Sequence, residues 1–260
     1  DRDGYISYVN AIREEIAAGG VYQVNACYEL TNQLTQANQS LSGLFSQLIA
    51  KNPAPYAQYL HLPELEIASA SPERLVSRRG QEMTTSPIKG TIRADEKVFG
   101  AKDKAENLMI VDLMRNDFGK ICESGSVAVT ELFRTEKHPG LSHLVSDVTG
   151  TLTGLMTWSQ IFEALTPAGS ISGAPKSAAL RIIDTHEQVA RGPYCGAIGW
   201  VQGDRAEIAV GIRTFWKTNN DVLHFGTGAG ITWASDAGAE WDETRLKVNH
   251  LLSIAGGEIL

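Results

Sequence analysis

Lys89 stands in Ser86-Pro87-Ile88-Lys89-Gly90-Thr91, between a proline that stiffens the backbone and a glycine that lets a substrate come close. A lysine amine becomes a nucleophile when desolvation or a neighbouring cation favours its neutral form, whereas a loop lysine in open water stays charged. Glu73, in Ser71-Pro72-Glu73-Arg74-Leu75, follows a proline turn, a placement that suits a general acid and equally a surface turn. Glu106 opens the apolar run Leu108 to Leu113, with Ile110 and Leu113 on its helical face. Near the end of the chain, Glu240, Glu243 and Lys247 share one face of another helix. Carboxylates from two helices, with positions left for water and substrate, suit Mg²⁺, which prefers oxygen ligands and keeps several waters. The same spacing equally suits a simple Glu243–Lys247 pair worth about 0.3–0.5 kcal/mol.

Two glycine-rich segments are candidates for holding an anion. In Pro167-Ala168-Gly169-Ser170-Ile171-Ser172-Gly173-Ala174-Pro175-Lys176, small residues lead into a helix whose exposed N–H groups attract a carboxylate or phosphate. Gly226-Thr227-Gly228-Ala229-Gly230-Ile231 follows a strand and precedes the acidic helix, but it lacks the GxGxxG spacing and βαβ setting of a dinucleotide site. Arg213, in Gly211-Ile212-Arg213-Thr214, offers a fork-shaped donor for a carboxylate. His143 lies in an apolar strand, where a lone histidine is more often a satisfied core residue than a catalyst. From residue types alone, no single segment names a reaction; together they suit a small-anion enzyme, with a divalent ion as one use of the paired carboxylates.

The elements that must position them are legible from periodicity. Tyr5, Val9, Ile12 and Ile16 recur at helical spacing after Asp3, which can cap them, and Gly19-Gly20 closes the helix. Strands are predicted over Val21–Thr31, over 56–79 with a turn at Ser71-Pro72, over Gly125–Phe133 and over His143–Thr151. Cys195–Gln202, Ala206–Trp216 and Val222–Gly226 complete a β-rich final third. Helices are predicted over Leu41–Ala50, Ala94–Lys120, Trp158–Leu165 and Lys176–Ala190, and a closing helix starts near Ser235 or Asp236 and carries Trp241, Leu246 and Leu251. Hairpins with helices between them predict one α+β domain over residues 1–260, mostly antiparallel.

The bulk composition narrows the class. With 260 residues and 43% hydrophobic content the chain can bury a large core, and a formal net charge of −7 argues against a nucleic-acid surface. Cys27, Cys122 and Cys195 form no CxxC pair, which fits a reducing compartment and gives no zinc framework. There is no apolar run long enough for a bilayer and no charged-then-apolar leader, so a cytoplasmic enzyme with no membrane attachment is expected.

Taken together and in order, the segments resemble the chorismate-utilising enzymes: anthranilate and aminodeoxychorismate synthase components I, isochorismate synthases and salicylate synthases. The resemblance rests on SPERL at 71–75, PIKGT at 87–91, ENLMIVDLMRND at 106–117, HLVS at 143–146, PAGSISGAPK at 167–176, RGPYCGAIG at 191–199, IRT at 212–214 and GAGITWASDAGAEWDET at 228–244. It implies an α/β sandwich with antiparallel sheets in the core and helices outside. It further implies that Glu106 and Glu243 bind magnesium, with Glu240 as a supporting carboxylate. By the same resemblance Thr91, Tyr194, Arg213, Gly228, Ala229, Gly230 and Lys247 hold the substrate, Glu73 protonates the departing ring hydroxyl, and His143 lies near that hydroxyl.

Two positions distinguish the branches. Isochorismate and salicylate synthases place a lysine base where this chain has Gln23, and anthranilate synthases carry PIAGT where it has PIKGT, the aminodeoxychorismate form. The resemblance therefore implies that Lys89 attacks the ring, that ammonia then displaces it, and that the product is 4-amino-4-deoxychorismate, a precursor of 4-aminobenzoate and folate. None of the three cysteines sits in a G-x-C-x-G elbow, so ammonia is expected from a separate glutamine amidotransferase subunit. Full-length members also carry an N-terminal region, whose absence is expected here. The alternatives are anthranilate synthase component I and a non-catalytic chorismate-binding fragment.

Overall fold

The computed structural model describes residues 1–34, 39–93, 98–138 and 141–257. The chain opens with helix α1 (Arg2–Ala17), strand β1 (Gln23–Gln33) and helix α2 (Ser42–Lys51). Five strands follow: β2 (Tyr56–Leu62), β3 (Leu65–Ser71), β4 (Arg74–Arg79), β5 (Glu82–Ser86) and β6 (Ile88–Arg93). After α3 (Ala101–Phe118) come β7 (Ala128–His138), β8 (Leu141–Thr151) and α4 (Trp158–Leu165). The short β9 (Gly173–Ala174) leads to α5 (Lys176–His186), then β10 (Ala197–Gln202), β11 (Arg205–Val210), β12 (Thr214–Lys217), β13 (Val222–Thr232) and α6 (Ala237–Ile254).

The strands form two sheets, ordered β2-β3-β12-β13-β1-β9 and β10-β11-β4-β5-β8-β6, with β7 also paired to β8. All of these pairings are antiparallel. The largest core lies between the sheets. Ile67 and Trp216 from the first sheet pack with Val76, Met83, Val148 and Ile208 from the second, and α3 adds Ile110, Met114 and Phe118. Each such side chain contributes about 1.5–3 kcal/mol on burial. The outer face of β1 and β13 is covered by α1, α5 and α6, and α2 packs with α6 over the other end of that sheet. The expected α+β sandwich, antiparallel within and helical outside, is the observed architecture.

Several boundaries differ from the periodicity, each for a local reason. The first helix is capped by Asp1, whose carboxylate accepts from the Gly4 N–H at 2.7 Å, and not by Asp3. The 56–79 stretch turns back at 63–64, between the paired β2 and β3, and at 72–73 it crosses from one sheet to the other. The expected start of α3 at Ala94 lies outside the described residues. Two corrections bear on function. Ala206–Trp216 is not one strand: β11 belongs to one sheet and β12 to the other, and the chain crosses between them at 211–213. There Arg213 adopts φ 51, a left-handed conformation that ends strand geometry. The Gly226–Ile231 segment, read as a loop after a strand, lies inside β13, paired with β1 over its whole length.

Candidate active site

The sheets open on a cavity of about 630 Å³, and β13 forms one wall of it. Successive side chains on a strand point to opposite faces, and β13 uses this with glycine. Ala229 and Ile231 enter the core under the helices, while Gly226, Gly228 and Gly230 share the other face. A Cβ at Gly226 would overlap the Tyr194 ring, and one at Gly230 would lie 3.0 Å from Lys89 Nζ and 3.2 Å from Gln23 Nε2. The alternating glycines thus leave space that Tyr194, Lys89 and Gln23 occupy. Gln23 is fully buried, and neither of its amide atoms has a hydrogen-bond partner among the described residues.

Lys89 extends from β6 into this space and is half-buried. Desolvation pushes its pKa down and Lys247 adds to that, against the opposing pull of Glu106, Glu73 and Glu243. Glu73, between β3 and β4, is 5% exposed and also lines the cavity. Burial pushes its carboxyl up to about 7, against smaller downward contributions from Ser170, Lys89 and the Ile88 backbone. An amine biased toward neutrality and a carboxyl biased toward protonation thus share one cavity, as a nucleophile and a general acid require. His143 on β8 is buried, and its Nδ1 lies 2.9 Å from the Thr91 hydroxyl on β6; both residues line the cavity. Arg213, at the crossing between sheets, reaches the same space, and burial pushes its pKa down. A half-desolvated guanidinium suits an anionic ligand. Tyr194 is buried against Gly226, and Lys247 lines the cavity while pairing with Glu243 at 2.6 Å.

The sequence pattern of chorismate binding enzymes matches residues 1–253. The chain belongs to this family. It is 38% identical to aminodeoxychorismate synthase component 1 of Escherichia coli, an alignment covering 96% of this chain and 57% of that protein. It is 40% identical to anthranilate synthase component 1 of Saccharolobus solfataricus over 79% of this chain and 51% of that one. Among solved structures, anthranilate synthase component I of Streptococcus pneumoniae superposes with a TM-score of 0.87 at 32% identity, covering 98% of this chain and 57% of that one. The chain therefore spans just over half the length of these relatives.

In this member of the family the acidic residues divide into two environments. Glu106 on α3 pairs with Lys102 at 3.7 Å, and Glu243 on α6 pairs with Lys247. The charges of both act on Lys89, but neither of them, nor Glu240, is among the residues that line the cavity. For Glu243 partial burial pushes the carboxyl up, but Lys247, with Lys102 and Lys89 adding to it, holds the group below its ordinary range. Glu240 is buried in the first turn of α6, and the Tyr5 hydroxyl, raised chiefly by its own burial, is raised further by the charge of Glu240. No group of three or more acidic, histidine or cysteine side chains gathers at metal-binding distance among the described residues. Mg²⁺ commonly takes only one or two protein carboxylates and completes its octahedron with water and substrate oxygens, so the oxygen donors of Glu106 and Glu243 suit it in kind.

Asn25, Ser170, Ile171 and Thr227 also line the cavity, as does a rim from Lys51 to Ala54 and from Leu246 to Leu251. Sequence reading gave Asn25 and the rim residues other than Lys247 no role, whereas Ser170, Ile171 and Thr227 lie inside the glycine-rich segments it singled out as anion candidates. No helix among the described residues is long and apolar enough to cross a membrane.

Proposed function

We propose that this chain aminates chorismate to 4-amino-4-deoxychorismate, with Lys89 as a covalent nucleophile, Glu73 as the general acid and Mg²⁺ held by Glu106 and Glu243 with Glu240 behind them. The observation that carries the reading is Lys89 Nζ lying against bare Gly230, in the cavity that also holds the buried Glu73. Arg213, Tyr194, Thr91 and Lys247 hold the substrate carboxylates and ring, and the Gly228-Ala229-Gly230 backbone lets them approach closely. Lys89 Nζ forms a bond to the ring as the ring C–O bond breaks, and the hydroxyl leaves as water with the Glu73 proton. Ammonia then forms the new C–N bond, the lysine bond breaks, and the Glu73 carboxylate takes up the released proton. His143, oriented by Thr91, lies beside the departing hydroxyl. Bound Mg²⁺ supplies positive charge that anchors and polarises the ring carboxylate. Gln23 stands where a water-activating lysine would turn the reaction toward hydroxylation. Ammonia comes from a glutamine amidotransferase subunit, in keeping with the component 1 names of the relatives.

The test is a product assay with chorismate, MgCl₂ and an ammonium salt at alkaline pH, analysed by mass spectrometry beside Lys89→Ala. Aminodeoxychorismate is expected from the wild type, with a loss of about 10²-fold or more in the variant. The 40% identity to an anthranilate synthase component keeps a second reading open. Anthranilate as the product would move the chain to that branch and leave Lys89 incidental. Chorismate binding without either product would make it a binding fragment.

A further inference from the structure

Arg191 and Glu187 do not line the cavity, yet three of its walls meet on them. Their side chains are 16% and 10% exposed. Arg191 Nε and Nη2 donate to the two Glu187 carboxylate oxygens, each at 2.7 Å. Nη2 also donates to the Asn25 carbonyl at 2.9 Å, and Nη1 donates to the Ile171 carbonyl at 2.7 Å and to the Cys195 sulfur at 3.5 Å. A guanidinium carries five N–H donors in a rigid fork, and here all five have acceptors. Glu187 Oε1 in turn accepts from the Cys27 N–H and the Tyr8 hydroxyl, both at 3.2 Å. The Arg191 carbonyl accepts from the Tyr194 N–H at 3.1 Å, closing the turn that delivers the Tyr194 ring.

Asn25 on β1, Ile171 in the loop before β9, and Tyr194 each face the cavity from a different part of the chain. One side chain therefore holds the register between them. A lysine ammonium has three donors on a single point and cannot span these acceptors. A largely buried ion pair adds little net stability once desolvation is counted, so the return from this one is geometric.

We infer that Arg191, gripped by Glu187, is a positioning residue that sets the spacing of the Asn25, Ile171 and Tyr194 walls and so the fit of the substrate. The inference rests on the reading of the cavity as the chorismate site. It is tested with Arg191→Lys and Glu187→Gln, following chorismate binding with MgCl₂ by calorimetry and turnover by product formation. Each measurement is made well below the thermal midpoint of the least stable variant. In Arg191→Lys the dissociation constant and KM for chorismate are expected to rise about tenfold or more, with kcat falling less, and Glu187→Gln should be intermediate. Lowered thermal midpoints with wild-type affinity and KM would assign the pair a purely structural role and overturn the inference. Failure of both variants to fold would likewise make it a folding determinant and overturn it. A wild-type chain that neither binds chorismate nor turns it over would instead defeat the functional reading, and the inference with it.

Discussion

At the residue scale, Glu73 couples the chemistry to stability. Its carboxyl is raised from an ordinary 4.5 to about 7, chiefly by burial. Between those values the folded state holds a proton that the unfolded chain has released, so stability falls as pH rises through that window. Above it the full penalty, about 3 kcal/mol, is in force, and below it none is. Glu73→Gln removes the ionisable group while keeping its shape. Denaturant unfolding should therefore show the variant gaining on the wild type from pH 4.5 to about 7, with a constant advantage beyond. A stability difference that does not change with pH would contradict the buried, raised carboxyl. The same variant should lose most of its turnover if Glu73 is the proposed general acid, because a glutamine amide has no acidic proton for a leaving hydroxyl.

At the element scale, the loop that carries Ser170 and Ile171 is held at its far end by an ion pair between helices. Asp117, 2% exposed near the end of α3, accepts from Lys176 at the start of α5 at 2.5 Å and from Lys120 at 2.8 Å. Lys176 also donates to the Ala164 carbonyl at the end of α4 at 3.4 Å. Removing one partner of a buried pair leaves the other uncompensated, which costs about 3–5 kcal/mol where both are fully buried. Lys176 is 18% exposed, so Asp117→Ala should lower the unfolding free energy by about 2–3 kcal/mol, read by urea titration. An effect below about 0.5 kcal/mol would mean that water replaces the carboxylate freely. Element boundaries were legible wherever the pattern is local: α4 falls on Trp158–Leu165 as its periodicity predicts, capped by Thr157 and Gln160. They were misread where the partner strand decides. Residues 206–216 carry one continuous β-like pattern, and only the crossing from one sheet to the other divides it.

At the scale of the whole molecule, the cavity is assembled from both sheets and from α6, so a ligand that fills it binds the folded state alone. Chorismate with MgCl₂ should raise the thermal midpoint, by an amount equivalent to about 2.7 kcal/mol at a hundred times its dissociation constant. A chelator should remove most of that gain if Glu106 and Glu243 hold the ion through which the ring carboxylate is anchored. A chorismate-induced shift that survives chelation would argue for binding through Arg213, Tyr194 and Lys247 without the metal.

The sequence alone determined the family, the α+β class and the residues with chemical capacity, because these are written in residue type and short-range order. Lys89 between Pro87 and Gly90, Glu73 after Pro72, and the acidic face of the last helix are all local patterns. Tertiary structure alone decided what each does with its neighbours. The glycines at 226, 228 and 230 read as a loop until β1 paired with them and Tyr194 and Lys89 filled the face they leave bare. Arg191 read only as part of a motif until five acceptors from four separate residues converged on its guanidinium. Desolvation, which raises Glu73 and lowers Lys89, likewise exists only once distant segments have closed over both groups, since a pKa shift depends on three-dimensional surroundings and not on sequence neighbours.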